Sequence, residues 1–173
     1  SEKVGEVAKR LGARCALVVT DPGVAKLGYA DQIVQSLASA GIGTSLFADV
    51  TPDPTLQNVN DGLRQYRDDG CELIVSIGGG SAIDCGKGIA VKLTNDGELA
   101  DYMGVDKIPN PGGPLIAIPT TAGTGSEVTK VTVITDTERN VKMMLSSPCL
   151  LARVALVDPL LSLTTPPHLT GAV

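Results

Sequence analysis

Three consecutive glycines and a serine stand between an apolar run and a helical pattern, and they are the residues best suited to bind an anion. Glycine lets the backbone approach a ligand closely, and a helix N-terminus offers free N–H groups and the positive end of the helix dipole. This pattern predicts a phosphate-binding turn formed by Gly78, Gly79, Gly80 and Ser81. Their order differs from the dinucleotide fingerprint G-x-G-x-x-G, and they follow the third predicted strand instead of the first. The alternative is a tight turn in which Ser81 and Asp84 form a capping box.

Asp84 and Lys87 lie three residues apart on the helix that the glycines open. Residues three apart share one face of a helix, so both side chains could point toward a ligand at its N-terminal end. A carboxylate acceptor and a cation there suit a nicotinamide amide or ribose and a phosphate. The alternative is an i,i+3 ion pair on the surface, which contributes only about a few tenths of a kcal/mol.

A second loop rich in hydroxyls and glycines, Thr120–Glu127, follows another predicted strand. Backbone N–H groups and hydroxyl side chains in such a loop can surround a pyrophosphate or a ribose. We expect Thr120, Thr121 and Thr124 to contribute these groups. The alternative is a solvated turn that binds nothing.

Asp21 follows the strand-like run that ends at Val18, Val19 and Thr20. A carboxylate at the carboxyl end of a strand can accept a hydrogen bond from an adenine-ribose hydroxyl and repel a 2′-phosphate. The same residue, standing before Pro22, also fits the start of a turn. The residues themselves leave both interpretations open.

Charge and hydropathy exclude several other classes of function. The 173-residue chain has a net charge of -5, and its Lys and Arg residues are scattered, which argues against nucleic-acid binding. No apolar run approaches the roughly 18 residues that a membrane span requires. A small-molecule ligand is the remaining expectation, with no nucleic acid and no membrane as partners.

The residues that bind transition metals are few and isolated. The single histidine, His168, has no Asp, Glu or Cys close by in sequence. The cysteines are widely spaced, at Cys15, Cys71, Cys85 and Cys149. These spacings do not predict a complete transition-metal site in this chain. They predict reduced thiols in a cytoplasmic protein.

Helical and strand-like patterns alternate along most of the chain. Apolar residues have helical spacing at 4–11, 33–37, 56–66 and 81–90. Continuous β-type runs lie at 15–20, 44–47, 72–77, 114–119 and 153–157. With 43% hydrophobic residues and 2% aromatics, this alternation predicts an α/β fold, a Rossmann-like parallel sheet with flanking helices. The segments 131–135 and 141–145 flank a loop and predict a β-hairpin, and Thr165 before two prolines predicts a further helix start.

Two segments, Gly78–Lys87 and Pro119–Thr129, together resemble the nucleotide-binding motifs of the iron-containing (group III) alcohol dehydrogenase family. The similarity extends over essentially the whole chain. It implies that residues 1–173 form a dinucleotide-binding domain for NAD, with NADP less favoured because of Asp21. It assigns Gly79, Gly80 and Ser81 to the pyrophosphate, Asp84 to the nicotinamide side, Thr120, Thr121 and Thr124 to the phosphate and ribose, and Asp21 to the adenine ribose. Gly78 and Lys87 complete the expected cofactor-binding set.

The same resemblance implies a two-domain, metal-dependent alcohol dehydrogenase or aldehyde reductase. In this family an all-helical domain binds Fe(II) or zinc through one Asp and three His, and the metal polarises the substrate oxygen while hydride moves to or from nicotinamide. We expect neither these four ligands nor the all-helical domain within residues 1–173. We therefore expect no dehydrogenase activity from these 173 residues alone. For the whole enzyme we expect a cytoplasmic homo-oligomer acting on a small alcohol or aldehyde.

Three other classes of protein are alternatives to an alcohol dehydrogenase. A glycerol dehydrogenase or a dehydroquinate synthase-like enzyme shares the glycine turn, although the complete Thr120–Glu127 loop favours the alcohol dehydrogenase branch. A non-catalytic nucleotide-binding module is consistent with the lack of a metal site. A flavodoxin-like domain without a nucleotide would leave both ligand-type loops unexplained.

Overall fold

The computed structural model describes residues 1–163 of the chain. Its helices are α1 (Val4–Arg10), α2 (Pro22–Lys26), α3 (Tyr29–Ser39), α4 (Leu56–Asp68) and α5 (Gly80–Thr94). Its strands are β1 (Cys15–Val19), β2 (Gly43–Phe47), β3 (Leu73–Gly78), β4 (Gly104–Val105), β5 (Leu115–Pro119), β6 (Val131–Asp136), β7 (Val141–Ser146) and β8 (Val154–Ala155). Short 3-10 turns lie at Leu99–Tyr102, Pro148–Leu150 and Pro159–Ser162. The predicted helix start at Thr165 and the histidine His168 lie outside the described residues.

A parallel sheet with the strand order β2-β1-β3-β5-β8 forms the centre of the structure. β1 pairs with both β2 and β3, and β5 pairs with both β3 and β8. Every residue of β3 is buried, which is the pattern of a parallel strand covered by helices on both faces. The predicted α/β fold with a parallel sheet is confirmed.

Successive side chains of each strand pack into two different hydrophobic layers. In β1, Leu17 and Val19 pack with α4, α5 and the hairpin β6–β7. Ala16 and Val18 pack with α1 and α3 on the other side. This alternation follows from the two-residue period of a strand, and it explains why the sheet needs helices on both faces. Helix α5 lies between the sheet and the hairpin, so its residues contact both.

The predicted hairpin is confirmed, with β6 antiparallel to β7 and β4 added at the edge. Its loop begins at residue 137 instead of 136, because Asp136 pairs with Val141 at the end of the ladder. Asp136 Oδ1 then accepts hydrogen bonds from the backbone N–H groups of Glu138 and Arg139, each at 3.0 Å. An aspartate carboxylate that accepts from the backbone N–H groups following it is typical of the start of a turn.

Two other elements differ from the sequence prediction. The residues after Asp21, where the sequence indicated only the start of a turn, form the short helix α2, because the Asp21 carboxylate accepts from the backbone N–H groups of Gly23 at 2.8 Å and Val24 at 3.0 Å. These bonds cap the first turn of a helix. The last predicted strand, 153–157, shortens to β8, which pairs with only two residues of β5 at the sheet edge.

The cysteines are all free. The parallel pairing of β1 with β3 brings Cys15 Sγ within 3.4 Å of Cys71 Sγ, although the two residues are far apart in sequence. Within residues 1–163, no helix has the length and apolar content needed to cross a membrane.

Gly86 of α5 provides a test of how closely this helix packs on the sheet. A Cβ at this position would lie 1.9 Å from Ser76 Oγ and 3.1 Å from Ser76 Cβ. We expect Gly86→Ala to lower the free energy of unfolding by about 1–3 kcal/mol, because overpacking outweighs the better helix propensity of alanine. Urea denaturation measures this change. Gly43→Ala is the control, since its Cβ would have 3.5 Å to the nearest atom, and equal stability of the two variants would contradict the prediction.

Candidate functional site

A cleft of about 720 Å³ opens at the carboxyl ends of the central strands. The chain runs from β1 to β2 on one side and then to β3 on the other, so the strand order reverses between β1 and β3. Open α/β sheets bind ligands outside the carboxyl ends of their strands at this reversal. A groove of similar volume lies between α1 and α3, but its lining residues, from segments 1–9 and 32–40, include no glycine.

The glycine turn forms one wall of the cleft. Gly78 ends β3 with φ 151, and a Cβ there would lie 2.7 Å from Ala82 Cβ. Gly79 is the N-cap of α5 and has no side chain to cap it, so the first N–H groups of the helix are left for other acceptors. A Cβ on Gly80 would lie 3.2 Å from Ser126 Oγ in the facing loop. Side chains at these positions would therefore fill the space between the turn and the loop.

Ser81 points away from the helix axis to a neighbouring segment. Its hydroxyl donates a hydrogen bond to the carbonyl oxygen of Pro52, in the connection between β2 and α4. The capping box with Asp84 is therefore wrong, since Gly79 occupies the N-cap position. Ser81 instead joins helix α5 to the rim of the cleft.

The threonine loop forms the facing wall. Thr120 N donates to Gly78 O at 2.9 Å, which ties the start of the loop to the glycine turn. Thr121 Oγ1 is buried and has no hydrogen-bond partner among the described residues. A Cβ on Gly79 would lie 3.7 Å from this hydroxyl. Thr124 Oγ1 accepts a long bond, 3.4 Å, from Ser126 N.

An unsatisfied buried hydroxyl beside a helix N-terminus fits an anionic ligand. A buried polar atom without a partner is unfavourable, and the phosphate of a dinucleotide would supply the partner that Thr121 lacks. The free N–H groups of α5 suit the same phosphate. The glycines leave room for it, so the residues present fit a pyrophosphate.

Asp21 lies at the end of β1 on the same side of the sheet. One carboxylate oxygen caps α2, and the other lies 3.3 Å from the position of a Cβ on Gly78. The two interpretations from the sequence are thus compatible, because the residue starts a helical turn and still presents negative charge beside the glycine turn.

Asp84 and Lys87 share one side of α5, as expected, but their side chains bind the hairpin. Asp84 Oδ2 accepts from Val133 N at 3.1 Å. Lys87 Nζ donates to the carbonyl oxygens of Thr129 and Val131, each at 2.8 Å. The alternative of a surface ion pair is wrong, because Lys87 is only 1% exposed and is bound to carbonyls. Direct contact of either residue with a cofactor stays a prediction.

Burial changes the proton affinity of both groups. It raises the pKa of Asp84 to about 6, although the Val133 N–H, the Lys87 ammonium and the Thr132 hydroxyl all favour the charged carboxylate. Burial also lowers the pKa of Lys87, against the attraction of Asp84 and Glu127. On this side of α5, burial therefore disfavours the charged forms of both groups, while hydrogen bonds and the attraction of opposite charges favour them.

Sequence reasoning missed the rim of the cleft between β2 and α4. Asn58 organises this rim, because its side chain accepts from the Thr51 hydroxyl at 2.8 Å and donates to Asp49 O at 3.0 Å. The rim is joined to the hairpin by an exposed ion pair between Asp53 and Lys142, 2.8 Å apart. The prolines on either side of Asp53 are typical of a break before a helix, but their pattern does not show what this segment contacts.

Metal-binding residues are not grouped in the part of the chain that the structure describes. Among residues 1–163, no cluster of three or more His, Cys, Asp or Glu side chains could hold a metal ion.

A parallel α/β sheet with a glycine turn and a helix N-terminus at its carboxyl edge defines a Rossmann-like ligand-binding protein. The particular family follows from comparison with family models, in which the model of iron-containing alcohol dehydrogenase matches residues 1–159. The chain belongs to this family, and the resemblance seen in its sequence is confirmed.

Individual proteins are similar to the chain over almost all of its length. Choline dehydrogenase of Bacillus subtilis (strain 168) is 44% identical over 170 residues, which are 96% of this chain and 42% of that protein. The crystal structure of a 1,3-propanediol oxidoreductase gives a TM-score of 0.95 at 44% identity, covering 99% of this chain and 45% of the other. A sulfoacetaldehyde reductase from Bifidobacterium kashiwanohense, solved in complex with NAD+, gives 0.89 at 35% identity, with coverage of 99% and 45%. The chain thus spans less than half the length of these relatives and matches the N-terminal domain of the family.

The raised pKa of Asp84 predicts a pH-dependent stability. Because the folded-state pKa, about 6, lies above the ordinary value of 3.8, the folded state binds more protons between about pH 4 and pH 6, and the free energy of unfolding falls as pH rises through this window. Asp84→Asn keeps an oxygen for Val133 N–H but does not titrate. We expect the stability of Asp84→Asn relative to wild type to increase by roughly 1–3 kcal/mol from pH 4 to pH 6.5.

Urea denaturation at several pH values measures this difference. Asp31→Asn, a change at an exposed aspartate of α3, is the control and should leave the profile of the wild type unaltered. Parallel profiles for Asp84→Asn and wild type would show that the Asp84 carboxyl is not the titrating group.

Proposed function

We propose that residues 1–173 are the NAD-binding domain of a metal-dependent alcohol dehydrogenase or aldehyde reductase. The observation that carries the proposal is the meeting of two ligand-type turns at one edge of the sheet, with the unsatisfied Thr121 hydroxyl between them. Membership of the iron-containing alcohol dehydrogenase family supports it. So does the NAD+ complex of the related sulfoacetaldehyde reductase.

In this proposal each part of the cleft binds one part of the dinucleotide. The pyrophosphate lies against the N-terminus of α5, with Gly78, Gly79, Gly80 and Ser81 around it. The threonine loop, through Thr120, Thr121 and Thr124, binds phosphate and ribose oxygens. Asp84 lies toward the nicotinamide side and Lys87 behind it.

Asp21 gives the proposed preference for NAD over NADP. Its carboxylate lies beside the glycine turn, where it can accept from the hydroxyls of the adenine ribose. A 2′-phosphate in that position would be repelled by the charge and would leave the ribose hydroxyl bond unmade.

The proposed reaction is hydride transfer between nicotinamide and a small alcohol or aldehyde. In the whole enzyme a bound iron or zinc ion would polarise the substrate oxygen. The residues of this chain have a different task, which is to hold the dinucleotide and to exclude water from its reactive face. The names of relatives include choline, propanediol and sulfoacetaldehyde enzymes, so the substrate class that we propose is a small alcohol or aldehyde.

The setting of the protein is also part of the proposal. We propose a cytoplasmic location, which the free cysteines support, because a reducing compartment keeps thiols in this state. Exposed apolar side chains at Val157, Leu160 and Leu163 support association with further protein surface, and we propose a homo-oligomer.

Titration of the chain with NADH and NADPH tests the cofactor and its selectivity. We expect NADH to bind more tightly than NADPH, and Asp21→Asn to reduce or reverse this preference by about tenfold, because the variant loses the charge. Asparagine retains an oxygen that can cap α2, so the local fold is kept. Fluorescence of the reduced nicotinamide or calorimetry gives the dissociation constants.

Asp31→Asn again serves as the control and should leave both affinities unchanged. If the folded chain binds neither nucleotide, the proposed function of the isolated domain fails. If NADH binds but the preference does not respond to Asp21→Asn, only the assignment of Asp21 is overturned.

A further inference from the structure

Lys87 is a buried cation whose donors are all occupied by protein acceptors. Its Nζ donates to the carbonyl oxygens of Thr129 and Val131, each at 2.8 Å, and to Thr129 Oγ1 at 3.3 Å. An ammonium group has three N–H donors. Binding a phosphate would require one of these bonds to break at a residue that is 1% exposed, where an unpaired polar group is unfavourable. The contacts therefore favour a role for Lys87 other than phosphate binding.

The acceptors of Lys87 lie where loop 120–130 meets strand β6. The opposite end of this loop is tied by the bond from Thr120 N to Gly78 O. The Thr120–Gly78 hydrogen bond thus connects one end of the loop to the glycine turn, and the Lys87 hydrogen bonds connect the other end to α5. Since β3, the glycine turn and α5 are continuous in the chain, these bonds fix the loop relative to the N-terminus of α5.

Between its two ends the loop is held by short-range bonds. Val128 N and Thr129 N both donate to Gly125 O, at 3.0 and 3.1 Å. Gly123 and Gly125 have positive φ values of 127 and 62, and glycine is free to adopt many other conformations. The loop therefore depends on its end contacts to keep one arrangement.

The middle of the loop is the part that faces the glycines. A Cβ on Gly79 would lie 3.5 Å from Thr121 Cγ2, and one on Gly80 would lie 3.7 Å from Thr124 Cγ2. These short separations mean that a small movement of the loop end would shift the hydroxyls away from the N-terminus of α5.

We propose that Lys87 is a positioning residue of the dinucleotide site, which fixes the end of loop 120–130 and so holds Thr121 and Thr124 over the glycine turn without touching the cofactor. Asp84 supports this role on the same side of α5, because its carboxylate binds the next part of β6 at Val133 N. The effect on affinity rests on the proposed function, whereas the effect on the loop does not.

Lys87→Met tests the proposal, since methionine has a similar length and no donor. In the cofactor-free chain we expect the amide NMR signals of Gly123 and Gly125 to shift or broaden. In a titration we expect NADH affinity to fall by about tenfold or more. Lys92→Met is the matched control, because Lys92 belongs to the same helix but donates to Gly97 O in a different loop. It should change neither measurement.

Lys87→Ala with added propylammonium is the second variant and a test of rescue. The free ammonium can replace the missing part of the side chain, so it should return both the loop signals and the affinity toward wild type. If Lys87 only filled space, an uncharged molecule of the same size would restore the loop signals and the affinity equally well. Equal rescue by 1-propanol would therefore contradict the proposal.

Three other outcomes distinguish the remaining interpretations of Lys87 and of the site. Lost affinity with wild-type loop signals in Lys87→Met would mean that Lys87 contacts the cofactor, which overturns the positioning role. Unchanged signals and unchanged affinity would overturn it as well. If wild type itself binds no NADH, the proposed function fails, and a shift of the Gly123 and Gly125 signals still supports the tie between Lys87 and the loop.

Discussion

The pairing of β3 with β5 is the constraint on which the site depends. These two strands are parallel and adjacent, and Gly78 at the end of one lies opposite Pro119 at the end of the other. The segments that follow, a glycine turn and a threonine loop, must therefore leave the sheet side by side at the same edge. Each segment forms only one wall of the cleft, and the register of the two strands brings the two walls face to face.

Helix α5 turns this juxtaposition into a defined cleft. Its N-terminus begins within the glycine turn, and its small residues let it pack closely on β3, with Gly86 against Ser76. Its buried Lys87 and partly buried Asp84 bind backbone groups of β6 and of Thr129, two residues before this strand. One helix thus supplies the anion-binding end, the contact with the sheet and the attachment of the hairpin. Burial of charge at that attachment is unfavourable by itself and is offset by hydrogen bonds to backbone groups.

Much of the fold could be predicted from the sequence because its main elements have strong periodic patterns. The apolar runs of β1, β3 and β5 and the glycines after β3 define the sheet edge and the turn. The orientation of Asp84 and Lys87 could not be predicted, because helical spacing shows that two residues share a face but not what covers that face. The helix after Asp21 was missed since its few residues carry no periodic signal, and only the capping bonds of the carboxylate reveal it.

A crystal structure of the chain with bound NAD+ would show whether the glycine turn and the threonine loop together form the dinucleotide site. We expect the pyrophosphate between the N-terminus of α5 and loop 120–126, within hydrogen-bond distance of the backbone N–H groups of Gly80 and Ser81 and of Thr121 Oγ1. We also expect Lys87 Nζ to keep its bonds to Thr129 and Val131. A dinucleotide bound elsewhere on the domain, or a pyrophosphate held by Lys87 instead of by the helix N-terminus, would overturn this assignment of the site.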